Sequence, residues 1–225
     1  MDLIDKFSYK SQAIITQKKQ ITYIIFQNMT KISIYKANIY KQALKSIKHL
    51  GFNSKMLEES SKNAGYEALF VHTIFHNGID DFALYMMNKL DKKMTIKMVQ
   101  LKEENPILKV RELIFLSIKT RIEIINKNKS AYKALFYFYS NPCRYNQSLT
   151  RLWKTADIIW YIAKDNSTDF NYYSKRTLLS TIYSLTMLYW LSDKSPNSSK
   201  TLEFLQKTID RVLSLQKFKF KKNTT

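Results

Sequence analysis

His72 and His76 stand four residues apart, a spacing that puts two imidazoles on one face of a helix, where they can share a metal ion. A zinc site needs at least a third ligand. Asp80 and Asp81 follow closely, but Asn77-Gly78 breaks the helix between them and the histidines. No metal site is therefore assigned. The acidic pairs Glu58-Glu59, Asp80-Asp81 and Glu103-Glu104 are adjacent in sequence, so their carboxylates diverge around a helix and make a poor acid/base pair. The chain carries no HExxH, CxxC, GxSxG or Gly-rich phosphate loop. Its single cysteine, Cys143, excludes an internal disulfide framework and fits a reducing compartment. No catalytic residue and no cofactor follow from these residues, and a non-enzymatic protein is expected.

The remaining concentration of functional side chains is aromatic. Trp153, Trp160, Tyr172, Tyr173, Tyr183, Tyr189 and Trp190 fall within one pair of helices. Pockets between helices are lined by such side chains with few polar groups. An apolar, lipid-sized cavity is expected here, lined or closely supported by Trp153, Phe170, Leu179, Ile182, Tyr183 and Leu188. The row Ser174, Thr177, Thr181, Ser184 fits either that pocket or a close helix-packing face. Thr168 or Asp169 can cap the second helix, and Tyr172 and Arg176 then share a face one turn apart.

The elements that must position these residues read as helices throughout, with no strand-like alternation and no repeat. Only 3 Gly and 3 Pro in 225 residues leave few breaks. Ile39, Ala43, Ile47 and Leu50 form a helical stripe that Gly51 stops. Asn53 or Ser54 caps a second helix through Ser61, and Ala64-Gly65-Tyr66 turns into a third, from Glu67 to Phe75. This succession has the shape of a helix-turn-helix. A fourth helix is predicted from Asp80 to Leu90, a fifth from Pro106 through Ile125, and a sixth from Ser130 to Tyr139. The next starts near Gln147, with Leu149, Leu152, Trp153, Ala156, Trp160 and Ala163 as its inward stripe and Ile158 and Tyr161 pointing away. The helix after Asp169 is apolar nearly all round, which predicts a central, buried position. Leu202, Leu205, Ile209 and Val212 mark a final amphipathic helix. The expected organisation is a basic extension over 1–34 (a helix or a mobile arm), a helix-turn-helix-like part over 35–92, a C-terminal helical part over 93–216, and a basic tail over 217–225.

A formal charge of +19 points to nucleic acid, an anionic membrane or an acidic partner. Residues 1–57 hold ten lysines against Asp2 and Asp5, a net of +8. Yet between Lys62 and Lys89 there is no Lys or Arg, and the presumed recognition segment Glu67-Ala68-Leu69-Phe70-Val71 is apolar and acidic. Phosphate contacts from Lys and Arg supply most DNA affinity, so no specific DNA binding is expected. Lys217, Lys219, Lys221 and Lys222, interleaved with Phe218 and Phe220, favour a transient, salt-sensitive encounter with an anionic membrane surface. No apolar stretch reaches the ~20 residues of a spanning helix, and no secretory signal is expected.

The run Leu152-Trp153-Lys154-Thr155-Ala156-Asp157-Ile158-Ile159-Trp160, then Ser167-Thr168-Asp169-Phe170-Asn171-Tyr172-Tyr173-Ser174-Lys175-Arg176, Leu188-Tyr189-Trp190-Leu191 and Ser195-Pro196, resembles the Coq-nine family of ubiquinone (coenzyme Q) biosynthesis. The pattern is W-x-x-A-D-x-x-W, S-T-D-F-N-W-Y-[ST]-[KR]-R, L-Y-W-L and S-P. The resemblance implies an all-α, TetR-like bundle and a non-enzymatic accessory protein. Such a protein binds a hydrophobic isoprenoid quinone intermediate and presents it to the di-iron demethoxyubiquinone hydroxylase. It also implies that residues 93–216 are the lipid-binding and dimerisation part of a homodimer, and a location in the cytoplasm or on the inner face of the membrane (the mitochondrial matrix in a eukaryote). The family's hydroxylase-contact patch matches Ile159, Asp169, Tyr172, Tyr173 and Arg176, with Tyr172 replacing a tryptophan. Many members add an amphipathic membrane-docking helix, where this chain has Lys217 to Lys222. The alternative readings are a TetR-type transcriptional regulator that senses a hydrophobic ligand, and a structural membrane-surface protein with no ligand.

Overall fold

The computed structural model describes residues 30–222, with side chains through residue 212. Most of the basic extension and the lysine-phenylalanine tail's side chains lie outside the described residues. What is described is helical, with no strand among these residues. The chain divides into two compact units, residues 1–79 and 80–225.

The first unit holds α1 (residues 30–50), α2 (Ser54–Asn63) and α3 (Phe70–Ile74). In α1, Ile39, Ala43 and Ile47 are buried as their spacing predicts, while Leu50 sits exposed at the end of the stripe. Gly51 closes the helix at φ +73°, a left-handed conformation that favours glycine. Asn53 caps α2, its side chain accepting from the Met56 N–H at 2.9 Å. Gly65, at φ +84°, carries the turn that follows. The third helix is shorter than the predicted span from Glu67 to Phe75: only Phe70–Ile74 is helical. Tyr35 meets Tyr66 and Phe70 edge-to-face, and Tyr66 and Phe70 are tilted to each other, all with centroids 5.3 Å apart; Asn38 donates to the Tyr66 hydroxyl at 2.8 Å. Packing of this cluster, rather than helical propensity, holds the segment before Phe70.

The second unit begins at the second residue of α4 (Ile79–Glu104), a single long helix rather than one ending at Leu90; position 92 lies inside it. Its apolar spacing continues through Met94 and Met98, both fully buried. Then come α5 (Val110–Asn126), α6 (Lys129–Tyr139), α7 (Tyr145–Ile162), α8 (Asp169–Ser192) and α9 (Ser199–Lys222). Pro106 belongs to the turn before α5 instead of starting the helix. The start is set by Lys109, whose N–H donates to Glu112 Oε2 at 2.9 Å. Short 3₁₀ turns at Pro142–Arg144 and Pro196–Ser198 lead into α7 and α9.

α8 packs against both α7 and α9. Its buried side carries Leu179, Ile182, Tyr183, Thr186, Met187 and Trp190. It is not buried all round: Phe170, Tyr173, Leu185 and Leu188 are exposed. The buried side of α7 is Thr155, Ala156, Ile159, Trp160 and Ile162, so the predicted inward stripe is rotated. Leu149 is exposed, and Leu152 and Trp153 are half-buried. Tyr161 points outward as expected, whereas Ile158 is half-buried. In α9, Leu205 and Ile209 are buried and Leu202 and Val212 half-buried, as the stripe predicts.

Polar contacts join residues far apart in sequence. Arg121 of α5 is fully buried; it bonds Asp91 of α4 and donates from Nε to the Tyr183 hydroxyl of α8 at 3.2 Å. Burial opposes the guanidinium charge, but Tyr183 and Asp91 outweigh it and raise the group's pKa. Asp193, between α8 and α9, accepts from the Ser195 N–H at 2.7 Å and the Thr201 N–H at 3.0 Å. Burial would raise its pKa, but these bonds and those of the Ser195 and Thr201 side chains outweigh burial and lower it to about 2. Asn126 of α5 accepts from Trp190 Nε1 at 2.8 Å.

Candidate functional site

A groove of about 840 Å³ runs along one side of the second unit, between α7 and α8. Leu149, Leu152 and Trp153 of α7 and Leu185 of α8 supply its apolar walls. Thr177, Ser180, Thr181 and Ser184 of α8 supply hydroxyls. The small-residue row predicted on α8 thus lines open space from Thr177 through Ser184. Small side chains at i, i+3, i+4 and i+7 lower one face of α8, and the large α7 residues stand over it.

Of the six residues expected to line a cavity, Trp153 lines this groove. Leu179, Ile182 and Tyr183 are core residues, and Phe170 and Leu188 face outward at 81% and 63% exposure. Leu149 and Leu152, expected in the core, are groove walls instead; helical spacing is the same whether a face is covered by a neighbouring helix or left open.

At one end of the groove stands an aromatic and ionic cluster. The Trp153 ring centroid lies 6.5 Å from that of Tyr172 and 6.1 Å from that of Tyr173, and those two tyrosines meet edge-to-face at 5.2 Å. The Arg176 guanidinium stacks 3.4 Å from the Tyr172 ring centroid. Its Nε donates to Asp157 Oδ1 at 2.7 Å, and its Nη1 to Asp165 Oδ2 at 3.5 Å and to the Tyr172 carbonyl at 3.3 Å. Lys175 bonds Asp165 at 2.7 Å and also reaches Ser167. Burial alone would raise the Asp165 pKa; the bonds from Lys175 and Ser167 and the charges of Lys175 and Arg176 outweigh it and hold it below the usual range.

These contacts place the five residues of the predicted partner patch at different depths. Tyr173 is exposed and Tyr172 half-buried at the surface. Arg176 is buried, and its visible role is to fix Tyr172 against α7. Ile159 lies in the core. Asp169 is exposed at the first position of α8 with φ +54°. Neither expected cap forms as predicted: Thr168 occupies the N-cap position without a side-chain cap bond. Lys175, Asp165 and Asp157 are the members of this network that sequence reasoning did not select.

The histidine pair is not brought to a common ligand. His72 Nε2 lies 3.3 Å from Glu58 Oε1, and no group of three His, Cys, Asp or Glu converges among the described residues. None of the described helices is long and apolar enough to cross a membrane.

The COQ9 family profile matches residues 145–216, which are α7, α8 and most of α9. The chain is 26% identical over 188 residues to a probable ubiquinone biosynthesis protein coq9, mitochondrial, of Dictyostelium discoideum, covering 82% of this chain and 61% of that protein. It is 29% identical over 191 residues to ubiquinone biosynthesis protein coq9 of Schizosaccharomyces pombe, covering 83% and 73%. It is 23% identical over 183 residues to the human mitochondrial protein COQ9, covering 79% and 57%. The match thus spans roughly three-fifths of the length of several of these relatives. By structure, the chain is similar to a TetR transcriptional regulator from Nitrosomonas europaea, with a TM-score of 0.66 and 16% identity over 79% of this chain and 97% of that one. The resemblance to the Coq-nine family and the TetR-like all-α fold are both borne out.

Proposed function

We propose that this Coq-nine-like chain is a non-enzymatic lipid-binding accessory protein of ubiquinone biosynthesis. The groove between α7 and α8 takes the apolar part of an isoprenoid quinone intermediate. The neighbouring Trp153, Tyr172 and Tyr173 surface meets the di-iron demethoxyubiquinone hydroxylase. One coincidence carries the reading: the helices matched by the family profile are those that build the groove and the aromatic cluster. Aromatic residues dominate interface hot spots, and the buried Arg176 holds Tyr172 ready without an ordering cost on binding. A homodimer, a reversible encounter with an anionic membrane through the lysine-rich tail, and a mitochondrial matrix location in a eukaryotic cell belong to the same proposal. The curated relatives' mitochondrial names support that location.

The regulator reading is less well supported. A helix-turn-helix reads DNA with the first turns of its second helix, held by Lys and Arg on phosphates. Here that helix is only Phe70–Ile74, in a stretch without Lys or Arg between Lys62 and Lys89. Native mass spectrometry after gentle extraction separates the two readings. A co-purifying isoprenoid lipid is the expected result. An empty protein that binds an operator sequence specifically would replace the accessory reading with the regulator one.

A further inference from the structure

Two cations of α7 meet on one neutral oxygen of α4. Arg151 Nη1 donates to Asn88 Oδ1 at 2.9 Å, and Lys154 Nζ donates to the same atom at 3.2 Å. The two charged nitrogens are therefore no more than about 6 Å apart. Lys92 follows Asn88 by four residues, one turn and about 6 Å along the same face of α4. Asn88, Lys92 and Lys154 are exposed and Arg151 is half-buried, so a solute can reach all four.

No carboxylate balances these three cations. Lys92, Arg151 and Lys154 form no ion pair among the described residues. The acids nearby along both helices are held by other groups. Asp91 is buried against Arg121, and Asp80 is paired with Arg144. Asp157, one turn after Lys154, accepts from Arg176 at 2.7 Å and from the Tyr172 hydroxyl at 3.4 Å. Asp81 shares the Asn88 face of α4 but lies two turns earlier, about 10 Å along the helix, close to the screening length at physiological salt. Lys89, beside Asn88 in sequence, adds a further positive charge and bonds the Tyr85 hydroxyl at 3.3 Å. An amide oxygen accepts from both cations without neutralising either.

We propose that Asn88, Lys92, Arg151 and Lys154 form a site on the α4–α7 face for a phosphate monoester, borne by a soluble small molecule or by a lipid head group at a membrane surface. Of the four, only Lys154 also borders the α7–α8 groove, and the site needs nothing bound there. A phosphate monoester carries about −1.5 to −2 charge at pH 7 and three acceptor oxygens, which matches three donors without a counter-charge. A carboxylate brings one charge and two oxygens, so at least one cation is left unmatched. Arg151 supplies a planar fork and the lysines supply point charges, both of which recur at phosphates. With the anion seated between Arg151 and Lys154, the Asn88 amide can turn its NH2 towards it as a fourth donor. Exposed charge pairs are individually weak, so the expected Kd is on the order of 1 mM.

Two-dimensional 1H–15N NMR of the full chain at constant ionic strength reads this site. Glycerol 3-phosphate is expected to shift the signals of residues 88, 92, 151 and 154 saturably, with inorganic phosphate competing and acetate giving no saturable shift. Arg151→Gln and Lys154→Gln should each weaken binding roughly tenfold, the scale of one charge-assisted hydrogen bond. Lys48→Gln, which removes the same charge from an exposed position on α1, should leave binding unchanged. Asn88→Asp places a carboxylate under both cations; it should abolish phosphate binding and leave the ligand-free thermal midpoint equal or higher. Flotation with phosphatidylcholine vesicles containing phosphatidic acid, compared with phosphatidylglycerol at matched surface charge, separates the two sources. Saturable binding of glycerol 3-phosphate supports a soluble ligand. A preference for phosphatidic acid that falls with Arg151→Gln, without saturation by glycerol 3-phosphate, supports a lipid head group. Acetate binding as well as phosphate, phosphate binding that survives both Gln variants or falls equally with Lys48→Gln, or wild-type phosphate binding by Asn88→Asp would each overturn the site. So would a wild-type chain that saturates with neither phosphate and does not distinguish the two vesicle types. None of these outcomes bears on the groove.

Discussion

Replacing Arg176 with alanine separates a residue that touches a partner from one that holds a partner-touching residue in place. The guanidinium makes a 2.7 Å bond to Asp157, a 3.5 Å contact with Asp165 and a stack over Tyr172. The Asp157 side chain is 46% exposed, so water replaces its lost bond and the cost there is about 0.5–1 kcal/mol. Asp165 is buried but keeps Lys175 and Ser167, so its loss is partial, about 1 kcal/mol. Losing the ring stack and the buried aliphatic stem adds about 1–2 kcal/mol. The total of about 3 kcal/mol is a large fraction of a typical 5–15 kcal/mol and corresponds to a fall in Tm of roughly 6–12 °C for a chain this size. Urea unfolding followed by far-UV circular dichroism measures the stability loss, and titration with the purified hydroxylase measures binding below the transition. Arg176→Lys keeps one charge but neither the fork nor the stack, and should lose about half as much. Tyr172→Ala should cost less stability than Arg176→Ala and at least as much binding, because the ring is the surface element and the guanidinium its support. An Arg176→Ala variant within about 0.5 kcal/mol of wild type would refute the ion-pair geometry. Unchanged hydroxylase affinity in a folded Tyr172→Ala variant would refute the patch.

Arg121→Met should destabilise by about 3–5 kcal/mol in urea unfolding, because Asp91 is left charged and buried. Adding Asp91→Leu to Arg121→Met should recover most of that loss; no recovery would mean the cost lies in packing. Asp193, with its pKa lowered to about 2, contributes stability above the unfolded carboxylate range that is lost as pH falls from about 4 to about 2. Asp193→Asn should therefore flatten the acid limb of the stability curve while lowering stability at neutral pH by up to about 2 kcal/mol; an unchanged acid limb would contradict this. Fluorescence anisotropy against a random-sequence DNA library at physiological salt should give at most weak, steeply salt-dependent binding. A sequence-specific nanomolar complex abolished by changes in 66–71 would reverse that expectation.

Local chemistry was legible in the chain. Gly51 at the end of α1, Asn53 at the start of α2 and the α9 stripe act within one or two turns, so their sequence signals suffice. The aromatic concentration around Trp153, Tyr172 and Tyr173 was legible for the same reason, since two sequential helices bring it together. Which side of α7 is inside was not legible. Leu149, Leu152 and Trp153 and the rival set Thr155, Ile159 and Ile162 both recur at helical spacing, and only the seating of α8 leaves the first set over an open groove. The roles of Arg121 and Asp193 were equally hidden. Arg121 depends on partners 30 and 62 residues away, and Asp193 on a bond across the α8–α9 turn. A buried charge is tolerated only where such partners converge, and convergence is a property of the packed helices, not of any window of sequence. Helix positions and the aromatic surface were thus written locally, while the groove exists only because α7 and α8 meet.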